Sequence, residues 1–477
     1  MPKVSEYFGL DKTQAELDFV NVEISGDNRL FVDPFALSQR PDPFGKACNG
    51  ILVEFFTRVV EAIRTGNEPL ALELLSHLHE PNETRLGYSI NEPRGSGIGS
   101  DQSHDLFQAL RDSSAVRTGF ISSLQECELL IPGISRDKIS DLTTNIIRKH
   151  LCEYTRKQCD LLGIQTSPMP LPPVFNPESN QWESQYHQLP VVEGLPLLLV
   201  PKVFVRFIPA YNHVQYYRYY VVNYLQAEAL SAHSSLVRTL KNRKQVVYKK
   251  DIEATFPCTK QFLYDFSRDH PEVLERYRED LEEIERTSQS AVVSLEQESV
   301  IARALIQVLR NIPPGPEHAT AYHSLMIGVL EFLFFPNLLN PEKEREIHDG
   351  RKRIDIVMEN GARGGIFSRL HQVRHIPCPF IAFECKNYGR EVSNPELDQL
   401  TGRFAPRRGK AGFLCCRSFR DRALFIRRCQ DTFRDDRGLA VPLDDNFFMR
   451  ALGAIESANR DSVDVMLTEI INEVTFS

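Results

Sequence analysis

Three side chains in the last third of the chain have the types and spacing that hydrolytic metal chemistry requires: Asp355, Glu384 and Lys386. The segment PFIAFECK, residues 379–386, reads as a strand. Successive strand side chains alternate between faces, so Glu384 and Lys386 share one side while Phe383 and Cys385 take the other. Asp355 stands in RKRIDIV as the polar position between Ile354 and Ile356 of a preceding strand. Two carboxylates converging from adjacent strands make a hard oxygen site suited to Mg²⁺, which takes few carboxylates and keeps waters and phosphate oxygens. A lysine beside that site lowers the cost of hydroxide attack and of negative charge developing on phosphorus. Glu331 adds a third acid inside LMIGVLEFLFF, where an unpaired buried carboxylate is expensive. A metal, a water or a cation removes that penalty, and the helix carrying Glu331 ends close enough to the strands to serve the same cleft.

A Glu-x-Lys on a strand or an Arg-flanked aspartate is, taken singly, usually an ion pair. Order and spacing carry the reading. An acid on a helix, Asp on a hairpin strand and Glu-x-Lys on the next strand resembles the PD-(D/E)xK nuclease superfamily, in its Mrr-like and Holliday-junction-resolvase-like branches. The likeness covers residues 318–445 and rests on Glu331, RKRIDIV and AFECKN. It implies a restriction-endonuclease-like fold and a Mg²⁺-dependent nuclease acting on DNA, with Mn²⁺ as substitute and RNA left open. Asp355, Glu384, the Cys385 backbone carbonyl and Glu331 would hold the metal, with Glu344 or Glu346 as alternatives to Glu331. Lys386 would position or activate the attacking water, and Gln399 in ELDQL matches a glutamine found on the following helix in several branches. A nuclease domain behind a large N-terminal region resembles bacterial anti-phage effectors. The alternative is a nuclease-fold binding subunit, silent until a signal or partner engages it.

Charge agrees with such a substrate. The chain carries 56 Lys+Arg against 64 Asp+Glu, net −8, which argues against a general nucleic-acid coat protein. Residues 342–437 nevertheless hold 21 basic and 14 acidic residues. Arg351, Lys352, Arg403, Arg407, Arg408 and Lys410 are the candidate phosphate contacts.

The elements that must position these groups follow from periodicity and punctuation. The 477 residues suffice for several domains. Residues 1–165 read as a mixed α+β region of unnamed fold, a candidate sensor or partner-binding unit. Residues 166–289, opening on the proline-dense SPMPLPPVFNP, form a middle region that carries a strand-like run at 196–207 and an aromatic stretch at 211–224. Residues 290–477 form the α/β nuclease domain, a mixed central sheet flanked by helices. Its expected order is helices at 294–310 and 318–335, then strands at 344–348 and 353–358 joined by an Asp349–Gly350 turn. A segment at 361–375, a loop or short helix over the site, precedes the 379–386 strand. A helix at 394–404 with Asn394 as cap, a strand at 411–416, a helix at 421–433, a strand at 439–443 and a terminal helical region follow. Helical crossovers make the later strands parallel. Ten cysteines without a CxxC, no apolar leader and no long apolar span lead to the expectation of a cytoplasmic protein without a membrane partner. A duplex cutter with one site per chain needs two sites, hence an expected homodimer or larger assembly.

Overall fold

The computed structural model describes residues 2–25, 28–87, 99–240, 242–287, 295–343, 355–389 and 392–476. Two hydrophobic cores organise them, one drawn from residues between 4 and 281 and one from residues between 302 and 474. Leu339 packs into the first, while Ala15 and Leu161 pack into the second. In chain order the first core runs to Leu281 and the second resumes at Ala302. Across the proline-dense stretch after 166, Phe175 and Trp182 meet Phe55 edge-on, at 5.0 and 5.9 Å.

The first core is built around helices α1 (Pro43–Arg64) and α2 (Arg136–Leu162). Asp42 caps α1 by accepting the Gly45 N–H at 2.8 Å, with Pro43 at the first position. Gly163, at φ 72°, ends α2 in the left-handed conformation that glycine tolerates. The run at 196–207 contributes only short pairings: Pro196 with Val191, a single bridge from Pro201 to Phe19, and Val205–Arg206 with Phe31–Val32. Pro196 and Pro201 interrupt a continuous ladder there, and the residues between them bond singly, Leu198 N–H to Glu83 and Leu199 N–H to the Thr155 hydroxyl. The aromatic stretch is core: the Tyr216 and Tyr220 rings lie 5.0 and 4.9 Å from that of Tyr277.

The second core surrounds a five-stranded sheet. After α3 (Leu295–Asn311) and α4 (Ala319–Phe334) come β1 (Leu338–Lys343), β2 (Asp355–Asn360), α5 (Gly365–Gln372) and β3 (Phe380–Lys386). Then follow α6 (Asn394–Thr401), β4 (Ala411–Cys416), α7 (Arg422–Arg434), β5 (Leu439–Asp444), α8 (Asp445–Glu456) and α9 (Asp461–Thr475). Spatial order equals chain order: β1–β2 and β2–β3 are antiparallel, β3–β4 and β4–β5 parallel. The parallel steps are those bridged by α6 and α7, as crossover geometry requires. The first strand begins at Leu338, earlier than the sequence suggests, and residues 344–354, with Glu344, Glu346 and the Asp349–Gly350 turn, lie outside the described residues. The α6 capping box starts at Ser393 rather than Asn394, with Glu396 accepting the Ser393 N–H at 2.8 Å.

One face of β3 and β4 is sealed by phenylalanines. Phe383 stacks on Phe413 at 5.2 Å and on Phe334 of α4 at 6.0 Å, and Phe367 of α5 meets Phe334 at 5.4 Å. Each buried ring contributes about 1.5–3 kcal/mol. Helix α5 therefore fills the core side of the sheet and does not cover the Glu384 face. The β1 edge is covered by α2, whose Gln158 donates to the Pro341 carbonyl at 2.9 Å while Lys157 pairs with Glu342 at 2.7 Å.

The cores meet through desolvated charge. Glu331, expected at the metal site, instead pairs with Lys202 at 2.9 Å, with both side chains at most 2% exposed. Lys202 also donates to the Leu17 carbonyl, and its Nζ stands 4.1 Å from the centre of the Phe335 ring. Helix α4 packs on the phenylalanine face, opposite Glu384, which is why its carboxylate does not join the cleft. Nearby, Asp18 accepts from Tyr154 at 2.7 Å and from the Asn340 N–H at 3.2 Å, and Glu359 accepts the Phe44 N–H at 2.9 Å. Gly361 lets Arg40 approach: a Cβ there would lie 2.3 Å from Arg40 Nη2.

Two expectations follow. Lys202→Met and Glu331→Leu should each lower unfolding free energy by about 3–5 kcal/mol, since each strands a buried partner, and the double variant should lose less than the sum. Urea titration of the four proteins tests this. Burial pushes the Glu359 carboxyl up from 4.5 to about 7. A carboxyl with a raised folded pKa makes the folded state the better proton binder, so its contribution is full below the unfolded value and is lost as pH climbs to the folded one. Stability should fall between pH 4.5 and about 7, and Glu359→Gln should flatten that slope in urea midpoints measured across the window.

Candidate metal and nucleic-acid site

Strand β3 delivers Glu384 and Lys386 to the face opposite the phenylalanines. Register pairs Asp355, the first residue of β2, directly with Glu384, so the two acidic positions stand opposite one another on neighbouring strands. Glu384 and Lys386 are buried and in contact, the ammonium on Glu384 Oε1. The Lys386 Nζ also donates to Gln399 Oε1 of α6 at 3.2 Å. On the other carboxylate oxygen of Glu384 sits Arg403 Nη1, at 2.7 Å. Asp355, Glu384, Lys386 and Gln399 are thus gathered on β2, β3 and α6, and Arg403 joins them from just beyond α6. Among the described residues, no group of three or more His, Cys, Asp or Glu is arranged to hold a metal ion.

The Cys385 carbonyl has a partner that the sequence reading omits. His323 Nε2 lies 2.7 Å from it, and since a carbonyl only accepts, that nitrogen carries the proton. His323 stands in α4 eight residues before Glu331, two turns or about 12 Å along the helix, so α4 reaches the site through the histidine. The available signal was a second polar residue on the same face of an apolar helix. Asn387, after Lys386, fixes the loop leading into α4 by donating to the Gly315 carbonyl at 2.8 Å and accepting the Gly315 N–H at 3.0 Å.

The basic candidates separate. Arg351 and Lys352 lie outside the described residues. Arg403 is buried against Glu384 rather than displayed on the surface. Arg407 and Arg408 are exposed on the turn closed by the Ala405–Gly409 bridge. Gly409 serves that turn at φ 125°, and a Cβ there would lie 2.5 Å from the Phe380 carbonyl. Lys410 pairs with Asp436 at 3.1 Å. Further along the basic run, Arg417 pairs with Asp445 at 2.9 Å and Arg422 with Glu473 at 2.7 Å, so part of the local positive excess is structural. Beside Glu384 a cleft of about 400 Å³ opens between the sheet face and α2, with Arg403 and Arg408 on its wall.

Residues 9–212 match a family model described as a domain of unknown function, DUF8370. That match takes in most of the first core and the α2 wall of the cleft, but not Glu384, Lys386 or Arg403. No curated protein and no solved structure matches the chain. No helix among the described residues is long and apolar enough to cross a membrane.

Removing the carboxylate from this cluster leaves two buried cations. Glu384→Ala should therefore lower unfolding free energy by about 3–5 kcal/mol, while Arg407→Ala, on the exposed turn, should stay within about 0.5 kcal/mol of wild type. Urea unfolding of both variants checks the contrast.

Proposed function

We propose that the chain is a metal-dependent nuclease hydrolysing DNA phosphodiester bonds, with a restriction-endonuclease-like fold in its C-terminal region. The observation that carries this reading is the register pairing of Asp355 with Glu384, with Lys386 next on the same face and held by Gln399. The order helix, antiparallel β1, β2 and β3 with α5 between the last two, helix, parallel strand supports the fold assignment. Two carboxylate positions on adjacent strands are the hard oxygen donors that Mg²⁺ prefers, and Mn²⁺ would substitute. When bound, the metal supplies Lewis acidity to the scissile phosphate and lowers the pKa of water.

The chain's own residues do the rest. Asp355 and Glu384 would hold the ion, and His323 keeps the Cys385 carbonyl oriented beside them. Lys386, its Nζ fixed between Glu384 and Gln399, stabilises hydroxide and the charge developing on phosphorus. Arg407 and Arg408, exposed next to the cleft, hold the phosphate backbone. All ten cysteines are free and nine are buried, which supports work in a reducing cytoplasm. The N-terminal region would sense a signal or a partner, in keeping with anti-phage defence.

A second reading, a nuclease-fold subunit silent until activated, is favoured by the ion pairs that Arg403 and Lys386 make on Glu384, which neutralise a metal ligand. Incubation of full-length protein with supercoiled plasmid tests both. Cleavage that needs Mg²⁺, stops with EDTA and is lost in Lys386→Ala and Asp355→Ala is the expected result. Cleavage unchanged in both variants overturns the site. Cleavage by Arg403→Ala alone, with folded wild type inert, selects the silent form.

A further inference from the structure

The nuclease reading leaves the cleft beside Glu384 unused, and its size, place and lining point to a narrower substrate class. Resting on that reading, we propose that the cleft receives one unstacked nucleotide, so that the substrate is single-stranded nucleic acid, whether a free strand, a flap or a bubble, rather than intact duplex.

Position comes first. The floor is formed by Val357, Ala382 and Phe380. Ala382 precedes Glu384 by two residues on the same face, about 7 Å along the strand, which one extended nucleotide spans. A base resting on Ala382 would therefore have its phosphate at Glu384. Volume comes second. A cleft of about 400 Å³ accommodates a body of small-ligand size, whereas a duplex presents a groove about 12 Å wide before its full girth is counted. The α2 wall is held close to the sheet by the Lys157–Glu342 pair, whose two residues line the cleft, and by the Gln158–Pro341 hydrogen bond.

Lining comes third. Phe380 and Phe404 offer ring surface to a base, and base–aromatic stacking tolerates any sequence. The cleft is lined by five basic residues, Lys343 and Arg408 among them, against two acidic ones, while the chain as a whole is acidic. Arg403 lines the cleft and touches Glu384, so its guanidinium spans the step from the base pocket to the scissile phosphate. A single-strand cutter also needs only one site per chain, which removes the demand for paired sites.

The test is fluorescence anisotropy of the full-length protein in EDTA with a labelled 12-nucleotide DNA strand, the same strand as RNA, and a blunt DNA hairpin. The single strand should bind at least tenfold tighter than the hairpin. Ala382→Leu, which fills the floor without altering charge, should lose at least tenfold of that affinity at an unchanged melting temperature. If Ala382→Leu does not fold, Lys343→Glu, at an exposed rim position, should give the same loss. Equal affinity for hairpin and strand, or wild-type affinity in a folded Ala382→Leu, overturns the proposal. The RNA arm decides which strand chemistry is preferred. Mg²⁺-dependent cleavage of the same labelled single strand, lost in Lys386→Ala, scores the nuclease reading separately: binding preference without cleavage leaves the pocket standing, and cleavage without the preference leaves the nuclease standing and removes the pocket.

Discussion

A strand sealed by phenylalanines on one face and charged on the other must find counter-charges for everything it buries on the second face, and β3 is such a strand. Its Phe383 row stacks between α4 and β4, which fixes the direction in which Glu384 points. Burial then obliges Glu384 to collect Lys386 and Arg403, and Lys386 to collect Gln399. Helix α6 is drawn over the charged face by that demand and by packing: a Cβ on Gly412 would lie 3.0 Å from Leu400 Cδ1, so the glycine permits the close approach. The same demand recurs in α4, where an apolar helix buries Glu331 and a cation from the other core, Lys202, answers it.

Much of the second core is legible in the sequence because its strands are short apolar runs bounded by proline, glycine and turn residues. Residues 379–386 and 411–416 are of this kind, and their alternation places Glu384 and Lys386 on one face without further information. Gln399 is legible only through family likeness, since nothing in its own neighbourhood distinguishes it from an exposed helical glutamine. Glu331 shows the limit from the other side. Its cost of burial is readable, but the partner that relieves the cost is not, because Lys202 is brought to it by tertiary packing. Arg403 reads as a surface phosphate contact because of the basic run around it, and only the fold reveals it on a buried carboxylate. In the first core, apolar composition suggests a strand at 196–207, but the prolines within it leave isolated hydrogen bonds instead.

The two cores share boundary conditions rather than a hinge. Hydrogen bonds from Gln158, Arg40 and Lys12 land on backbone carbonyls of β1, of the turn after β2 and of α4. The first core therefore completes the hydrogen bonding of the second and supplies one wall of the cleft beside its charged residues.

The Lys202–Glu331 contact also bears on inheritance. A gene segment encoding residues from α3 onward is not a cassette that recombination can graft onto an arbitrary leader, because a foreign leader would arrive without the lysine that α4 needs and without the Arg40 side chain that Gly361 makes room for. Shuffled descendants of this architecture should retain matched pairs of positions across the seam, and a chimera built by swapping the front half is best designed by transplanting Asp18, Arg40 and Lys202 together.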